Sequence, residues 1–201
     1  ATTLPQLARL GFPLGGLDKP SVRLLAEHYG LRVANKPDSQ DICFVPQGDY
    51  RAVVRKLRPE AGAPGAIVDL EGRELGRHNG LIGFTIGQRR GIEIGGQTEP
   101  LYVVRLEPEA NRLVVGPRAA LAVSTVWLDD LNWLAGPVPA DGLDVEVKLR
   151  SMAPLAAARL FAGAAPRLEF PEPQFGVAPG QAAVCYAGSR VLGGGFIRSA
   201  G

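Results

Sequence analysis

Lys36-Pro37-Asp38-Ser39-Gln40-Asp41-Ile42-Cys43-Phe44 stands where a helical N-terminal part gives way to a long, β-rich remainder with many glycines. Pro37 favours an extended backbone at Lys36, and the Asp and Ser residues that follow bond to nearby backbone groups in turns. The stretch therefore predicts a tight polar loop that carries one of the two cysteines of the chain.

On local chemistry alone, Cys43 is expected to be a structural thiol rather than a reactive one. Free cysteine is commonly buried as a small apolar residue, and Ile42 and Phe44 flank it. Neighbouring carboxylates would raise the pKa of the thiol above its reference value of about 8.5. A reactive role for Cys43 therefore needs support from elsewhere in the chain.

The composition indicates an ordinary globular protein. Its 201 residues, 46% hydrophobic and 21% charged, can build a buried core, and 26 Gly and 17 Pro favour many short strands and turns. Two cysteines far apart provide no disulfide framework, and the lack of an export signal or a bilayer-length apolar run predicts a cytoplasmic protein without a membrane partner. Two scattered histidines without a Cys-x-x-Cys motif predict no metal site. The net charge of +2 does not by itself indicate a nucleic-acid partner.

The N-terminal part is predicted to be helical. Asp18 can cap a helix that has Pro20 in its first turn, and Gly30 is the natural end of that helix. A shorter helix is expected over residues 6–10, and a third helix, rich in basic residues, over 50–57.

From residue 64 onwards the sequence predicts strands. A hairpin is expected around Glu71-Gly72, a short strand over 84–87, and a second hairpin from strands at 101–106 and 113–115. Beyond Gly116-Pro117 come six strand candidates, at 124–128, 144–150, 156–161, 167–170, 181–186 and 190–197. Six short strands separated by turns predict a small closed barrel, in which Cys185 is expected to fill the core.

Five blocks of sequence carry a resemblance to a known family. They are the Cys43 loop, Gly80-Leu81 followed by Phe84-Thr85-Ile86-Gly87-Gln88-Arg89-Arg90-Gly91, Leu101-Tyr102-Val103-Val104, Pro179-Gly180-Gln181-Ala182-Ala183-Val184 and Leu192-Gly193-Gly194-Gly195. In this order they resemble the tRNA-specific 2-thiouridylases, the MnmA/TrmU family. Each block alone is weakly specific, whereas five in the family's order are highly specific. The resemblance implies an α+β fold that is mainly β, with a helical segment over 1–60, a small β-rich central domain over 61–118 and a six-stranded elongation-factor-like β-barrel over 119–201.

The resemblance implies an enzyme that transfers persulfide sulfur to C2 of the wobble uridine of tRNA in an ATP-dependent reaction. It implies that Cys43 carries this sulfur, supplied by a donor such as a cysteine desulfurase or a sulfur-relay protein. A thiol suits the role because its thiolate or persulfide is a strong, soft nucleophile. The resemblance thus reverses the local interpretation of Cys43.

The ATP-binding loop and the second catalytic cysteine of the family do not occur in this sequence, and Cys185 lies in the wrong block to replace that cysteine. The chain therefore resembles the central and C-terminal domains without the N-terminal domain that binds ATP with Mg. No cofactor-binding residue is predicted in it, and alone it is expected not to adenylate RNA.

The resemblance also implies tRNA contacts at Arg150, Ser151 and Gln181. The family carries an Arg-Tyr pair where this chain has Arg150-Ser151, so an aromatic contact is lost at Ser151. Arg89 and Arg90 are further candidates for phosphate contacts, from their charge and their place in the motif. Two alternatives stay open: a non-catalytic RNA-binding β-barrel module, and a thiol persulfide carrier that does not act on RNA.

Overall fold

A computed structural model describes residues 2–37, 53, 56, 57, 62–96 and 99–201. Residues 38–44 of the predicted Cys43 loop and most of the predicted third helix lie outside the described residues. The chain divides into two compact units, Ala1–Tyr50 and Arg51–Gly201. Each unit is therefore described by itself.

The described part of the first unit contains two helices, α1 (Leu4–Leu7) and α2 (Lys19–His28). Asp18 caps α2, because its carboxylate accepts a hydrogen bond of 2.9 Å from the Ser21 amide, as the sequence predicts. The prediction of a helix over 6–10 was wrong in its bounds. The helix starts earlier because Thr3 and Gln6 form a capping box around its first turn. Neither helix buries a residue.

The second unit begins with a four-stranded sheet made of β1 (Gly65–Val68), β2 (Glu74–His78), β3 (Tyr102–Glu107) and β4 (Arg112–Gly116). The pairs β1–β2 and β3–β4 are the two predicted antiparallel hairpins. A parallel pairing between β1 and β4 joins them in the order β2-β1-β4-β3. The sheet packs around a core of buried apolar side chains, namely Ile67, Ile92, Val103, Leu113 and Val115.

The prediction of a strand over 84–87 was wrong. A 3-10 turn at Leu81–Gly83 precedes these residues, and Gly87 has a φ of 84°, in the left-handed region that interrupts an extended strand. The Gly87 amide donates to the Val103 carbonyl at 2.8 Å, and the Val103 amide donates to the Gln88 carbonyl at 2.9 Å. The segment is therefore a turn that is hydrogen-bonded to β3.

The rest of the second unit is a closed barrel of six antiparallel strands, as the sequence predicts. The strands are β5 (Ala122–Trp133), β6 (Leu143–Lys148), β7 (Ala156–Phe161), β8 (Arg167–Phe175), β9 (Ala182–Ala187) and β10 (Arg190–Ala200). Around the barrel the order is β10-β5-β8-β7-β6-β9, and the ring closes where β9 pairs with β10. The barrel core is formed by the inward-facing side chains of all six strands, among them Val126, Leu160, Leu168 and Cys185. The fold is therefore α+β and mainly β.

His78, at the end of β2, is buried with only 2% of its surface exposed. Its Nδ1 accepts a hydrogen bond of 3.0 Å from the Gly80 amide, and its Nε2 lies 3.2 Å from the Asn111 carbonyl. The neutral ring with its proton on Nε2 satisfies both partners. Burial lowers the pKa of His78 below its ordinary value, the hydrogen bond to Asn111 opposes this, and the charge of Arg77 adds to the lowering.

Acidification is therefore expected to destabilise the second unit through His78. The unfolded chain takes up a proton near the ordinary histidine pKa of 6.5, whereas folded His78 stays neutral to a lower pH. The contribution of His78 to stability is complete above pH 6.5 and is lost as the pH falls through the folded pKa. His78→Gln should cost about 1–3 kcal/mol at neutral pH, since it leaves buried partners unpaired, and should flatten this pH dependence.

Denaturant unfolding at a series of pH values measures the effect. His28→Gln is the matched control, because it removes an exposed histidine of the first unit. If the His78→Gln variant keeps the wild-type pH dependence, His78 is not the group responsible.

Candidate nucleic-acid interface

A groove of about 510 Å³ lies where the sheet and the barrel of the second unit meet. It is lined by the turn after the 3-10 helix, the β6–β7 connection and the β8–β9 connection. The contributing residues are Thr85 and Ile86, residues 150–154, and Gly176, Ala178 and Gln181. The groove thus brings together Arg150, Ser151 and Gln181, three of the residues proposed from the sequence as tRNA contacts.

A contact between two glycines holds the sheet turn against the barrel beside this groove. Gly87 has a φ of 84° and Gly176 a φ of 66°, which glycine adopts more readily than any other residue. A Cβ on Gly87 would lie 3.1 Å from the Cα of Gly176, which is tighter than ordinary packing. Both the backbone conformation and the close approach therefore favour glycine at these positions.

Arg150 brings a positive charge to the groove. It is exposed, it directly follows the buried Leu149, and its carbonyl accepts a hydrogen bond of 3.1 Å from the Ala153 amide. Among the residues that the structure describes, no carboxylate forms an ion pair with Arg150. By contrast, Arg159 and Arg167 of the barrel pair with Asp144 and Glu169 at 2.9 and 2.7 Å. The guanidinium of Arg150 is therefore free to bind a phosphate through two parallel hydrogen bonds.

Gln181 and Ser151 add neutral polar groups beside this charge. The barrel holds the Gln181 backbone, whose carbonyl accepts a hydrogen bond of 2.8 Å from the Ile197 amide. The side chains of Gln181 and Ser151 are exposed. An amide and a hydroxyl next to a guanidinium form a set that can contact the phosphates and sugars of a nucleic acid.

Arg89 and Arg90 lie outside the groove. Both are exposed, and Arg89 lines a cavity of about 420 Å³ while Arg90 lines another of about 410 Å³. Gln88 orders their turn, because its Oε1 accepts a hydrogen bond from the Thr85 amide at 3.0 Å and its Nε2 donates to the Arg90 carbonyl at 2.8 Å. The structure therefore does not gather these two arginines with Arg150, although their turn reaches the groove through Thr85.

Sequence reasoning missed several residues of the groove. Thr85 and Ile86 were interpreted as part of a strand, and Met152 and Pro154 were not singled out at all. Met152 is 94% exposed. A signal was present in the sequence, since the only methionine of the chain lies directly after Arg150-Ser151.

Of the two cysteines, Cys185 lies in the described part of the chain and Cys43 lies outside it. Cys185 is a free thiol with none of its surface exposed, which confirms its predicted place in the barrel core. Burial raises the pKa of the Cys185 thiol to about 12. The thiol is therefore protonated at neutral pH and is unreactive, because the thiolate is the nucleophilic form.

Alkylation of Cys185 by iodoacetamide is accordingly expected only after unfolding. A Cys43→Ala variant isolates this thiol, and intact-mass spectrometry counts the added groups. We expect no addition in native buffer and one in denaturant. Complete alkylation of the native variant would show that Cys185 is accessible and would contradict its buried position.

The described residues contain neither a metal cluster nor a membrane-spanning helix. Within residues 2–37, 62–96 and 99–201, no group of three or more His, Cys, Asp or Glu side chains is placed to hold a metal ion. No helix in that part of the chain is long and apolar enough to cross a membrane. The groove at Arg150 is therefore the strongest candidate site in the described structure.

Three family models match the chain, one after another. The tRNA methyl transferase HUP domain matches residues 1–47, the tRNA methyl transferase PRC-barrel domain matches 51–117, and the aminomethyltransferase beta-barrel domain matches 123–197. Residues 1–47, predicted above as part of a helical segment, thus match a HUP domain. The predicted domain boundaries at 60 and 118 stay predictions.

Curated relatives match the chain over almost its whole length. Proteins named tRNA-specific 2-thiouridylase MnmA are 62% identical in Rhizorhabdus wittichii, 60% in Sphingopyxis alaskensis and 57% in Zymomonas mobilis. These matches cover 98–99% of this chain and 51–52% of each relative. The chain therefore spans about half the length of the curated relatives it matches.

The models that match the sheet and the closed barrel are described from tRNA methyl transferases and aminomethyltransferases, so the class that they define is one of transferase domains. Within this class, the chain belongs to the tRNA-specific 2-thiouridylase family. The family resemblance of the five sequence blocks is thereby confirmed.

Proposed function

We propose that this chain supplies the RNA-binding groove and the sulfur-carrying cysteine of an enzyme that replaces the C2 oxygen of the wobble uridine of tRNA with sulfur. The observation that carries the proposal is the convergence of Arg150, Ser151 and Gln181, from two separate loops, on one groove. The names of relatives with up to 62% identity support the same substrate and reaction. The groove would supply the RNA-binding half of this function, and Cys43 the sulfur-transfer half.

In the groove, Arg150 would pair with a phosphate of the tRNA backbone, and Gln181 and Ser151 would contact the adjoining phosphate or sugar. Contacts of this kind set the position of a nucleic acid without reading its sequence. Arg89 and Arg90 would add phosphate contacts on the sheet side, since both are exposed cations. The second unit would therefore hold the tRNA.

At Cys43, the thiolate would attack the terminal sulfur of a persulfide on a donor protein, a cysteine desulfurase or a sulfur-relay protein. The sulfur–sulfur bond of the donor breaks, a new one forms on Cys43, and the donor leaves as a thiolate. The exchange is balanced without an added oxidant. A reducing cytoplasmic setting would keep Cys43 available for loading.

ATP with Mg would be used by the whole enzyme, and neither the sequence nor the described residues of this chain fit it. The sequence contains no Ser-Gly-Gly-x-Asp-Ser loop. In the structure, the N-terminus of α2, a place where helices bind phosphate, is already occupied by the Asp18 carboxylate at 2.9 Å from the Ser21 amide. A second anion beside this carboxylate would be repelled.

Binding of an unmodified tRNA transcript to the whole chain across a salt series tests the RNA-binding half of the proposal. We expect the affinity to fall linearly with salt on a double-logarithmic plot, because phosphate contacts release counterions. Absent or salt-insensitive binding would contradict it. A chain that binds tRNA but accepts no persulfide sulfur would be an RNA-binding module only, and one that accepts sulfur without binding tRNA would be a persulfide carrier.

A further inference from the structure

The groove has an apolar wall that phosphate binding leaves unexplained. Met152, with 94% of its surface exposed, lines it together with Ile86 and Pro154, on the same groove as Arg150. We propose that this wall holds one unpaired RNA base, turned out of its stack, while Arg150 pairs with a phosphate next to that base. The inference rests on the proposed function, because it names the RNA element that the groove takes.

The loop geometry presents Met152 outward. Leu149 is buried in the barrel core and anchors the start of the loop. The hydrogen bond from the Ala153 amide to the Arg150 carbonyl, at 3.1 Å, turns the chain around Ser151 and Met152. The thioether of methionine is polarizable and makes favourable contacts with aromatic rings. A base can therefore contact the apolar side chain of Met152 without any rearrangement of the barrel strands.

Ile86 reaches this wall from the sheet, on the same turn as Thr85. The contact between Gly87 and Gly176 holds this turn next to the β8–β9 connection. The volume of about 510 Å³ falls in the range of sites that enclose small organic ligands. Proteins that recognise RNA typically read unstacked bases in loops and bulges rather than duplex. A single extruded nucleotide matches both the size and the mixed apolar and cationic lining.

The salt series separates a base contact from a phosphate contact. Met152→Ala should weaken tRNA binding about fivefold, as expected for one contact between sulfur and an aromatic ring, without changing the salt slope, whereas Arg150→Ala should reduce the slope by about one. Leu155→Ala is the matched control, because Leu155 is a 40% exposed apolar residue outside the groove. The Leu155→Ala variant should bind tRNA with the affinity of the wild type. Thermal unfolding of each variant checks that it is folded.

Abasic substitution of the unpaired loop nucleotides of the tRNA, one at a time, identifies the base. At one position the loss of the base should weaken wild-type binding about fivefold and should add nothing to Met152→Ala, since the two changes remove one contact. Additive losses at every position, or wild-type affinity in Met152→Ala, would overturn the inference and leave the proposed function standing. A sulfur-donor protein that loses affinity for Met152→Ala while tRNA does not would also overturn it. Absence of tRNA binding by the wild type would overturn both.

Discussion

A Cys43→Ser variant is expected to accept no sulfur from a persulfide donor above background. The serine hydroxyl is not ionised at neutral pH and cannot form a sulfur–sulfur bond, whereas a cysteine thiolate exchanges readily with persulfides. The measurement is the gain of one sulfur atom in the intact mass after incubation with a cysteine desulfurase and cysteine. Loss of this gain is the largest effect that we expect from any single substitution.

Cys185→Ala is the matched control for this experiment. Cys185 is buried in the barrel, and its pKa of about 12 keeps the thiol protonated. Its removal should leave sulfur loading unchanged, provided that melting shows the barrel to be folded. Wild-type sulfur loading in Cys43→Ser, or loss of loading in the folded Cys185→Ala variant, would show that another residue carries the sulfur. Either result would contradict the role proposed for Cys43.

An Arg150→Ala variant is expected to weaken tRNA binding by about tenfold and to lower the salt slope by about one, because one charge-assisted phosphate contact is removed. Arg150 has no carboxylate partner among the residues that the structure describes, so its charge is available to the ligand. Equilibrium filter binding at several salt concentrations measures both quantities. The exposed position of Arg150 means that the fold should be unaffected.

Arg159→Ala is the control for Arg150→Ala. Arg159 is an exposed barrel arginine too, but it pairs with Asp144 at 2.9 Å. Its loss is expected to change tRNA affinity by no more than about twofold, since the paired charge is largely compensated and exposed pairs contribute little. Equal losses in the two variants would mean that tRNA responds to the general positive field of the barrel rather than to the groove.

The barrel was predictable because each of its strands has a local sequence pattern, an alternation of inward-facing and outward-facing residues. Ala183 and Cys185 alternate with Val184 and Tyr186, and the structure buries the first pair fully while the second stays half-exposed. The lengths of the strands could not be predicted from the sequence. The predicted strand ends at Leu128, whereas β5 continues through Asp129-Asp130 to Trp133, because Asp130 takes a φ of 51° where the register against β10 shifts. In the sheet these residues form a bulge instead of ending the strand.

The sheet was predicted in parts and assembled only by the structure. Its two hairpins follow from local turns such as Gly72, which has a φ of 83°. The parallel pairing of Ile67 with Leu113 joins segments distant in sequence, and no local pattern specifies it. The same limit applies to the strand predicted over 84–87. Its short run of Phe, Thr and Ile suits a strand, yet the left-handed conformation of Gly87 makes it a turn.

The candidate site, too, has residues that the sequence could identify and residues that only the tertiary structure reveals. Arg150, Ser151 and Gln181 were named from the family resemblance, and the structure places all three at one groove. The contribution of Ile86 depends on the approach of Gly87 to Gly176, a contact between the sheet and the barrel that no motif encodes. Met152 was not singled out, although it is the only methionine of the chain and directly follows Arg150-Ser151. Its place in the groove is visible only in three dimensions.

The most direct measurement of the central claim is the 2-thiouridine content of tRNA made by a chimera. The half of the Rhizorhabdus wittichii relative that this chain does not span would be joined to this chain and expressed in cells that lack their own 2-thiouridylase. Mass spectrometry of tRNA nucleosides should then detect 2-thiouridine, absent with Cys43→Ser and reduced with Arg150→Ala. A chimera that is folded and binds tRNA but makes no 2-thiouridine, or makes it equally well with Cys43→Ser, would contradict the proposal.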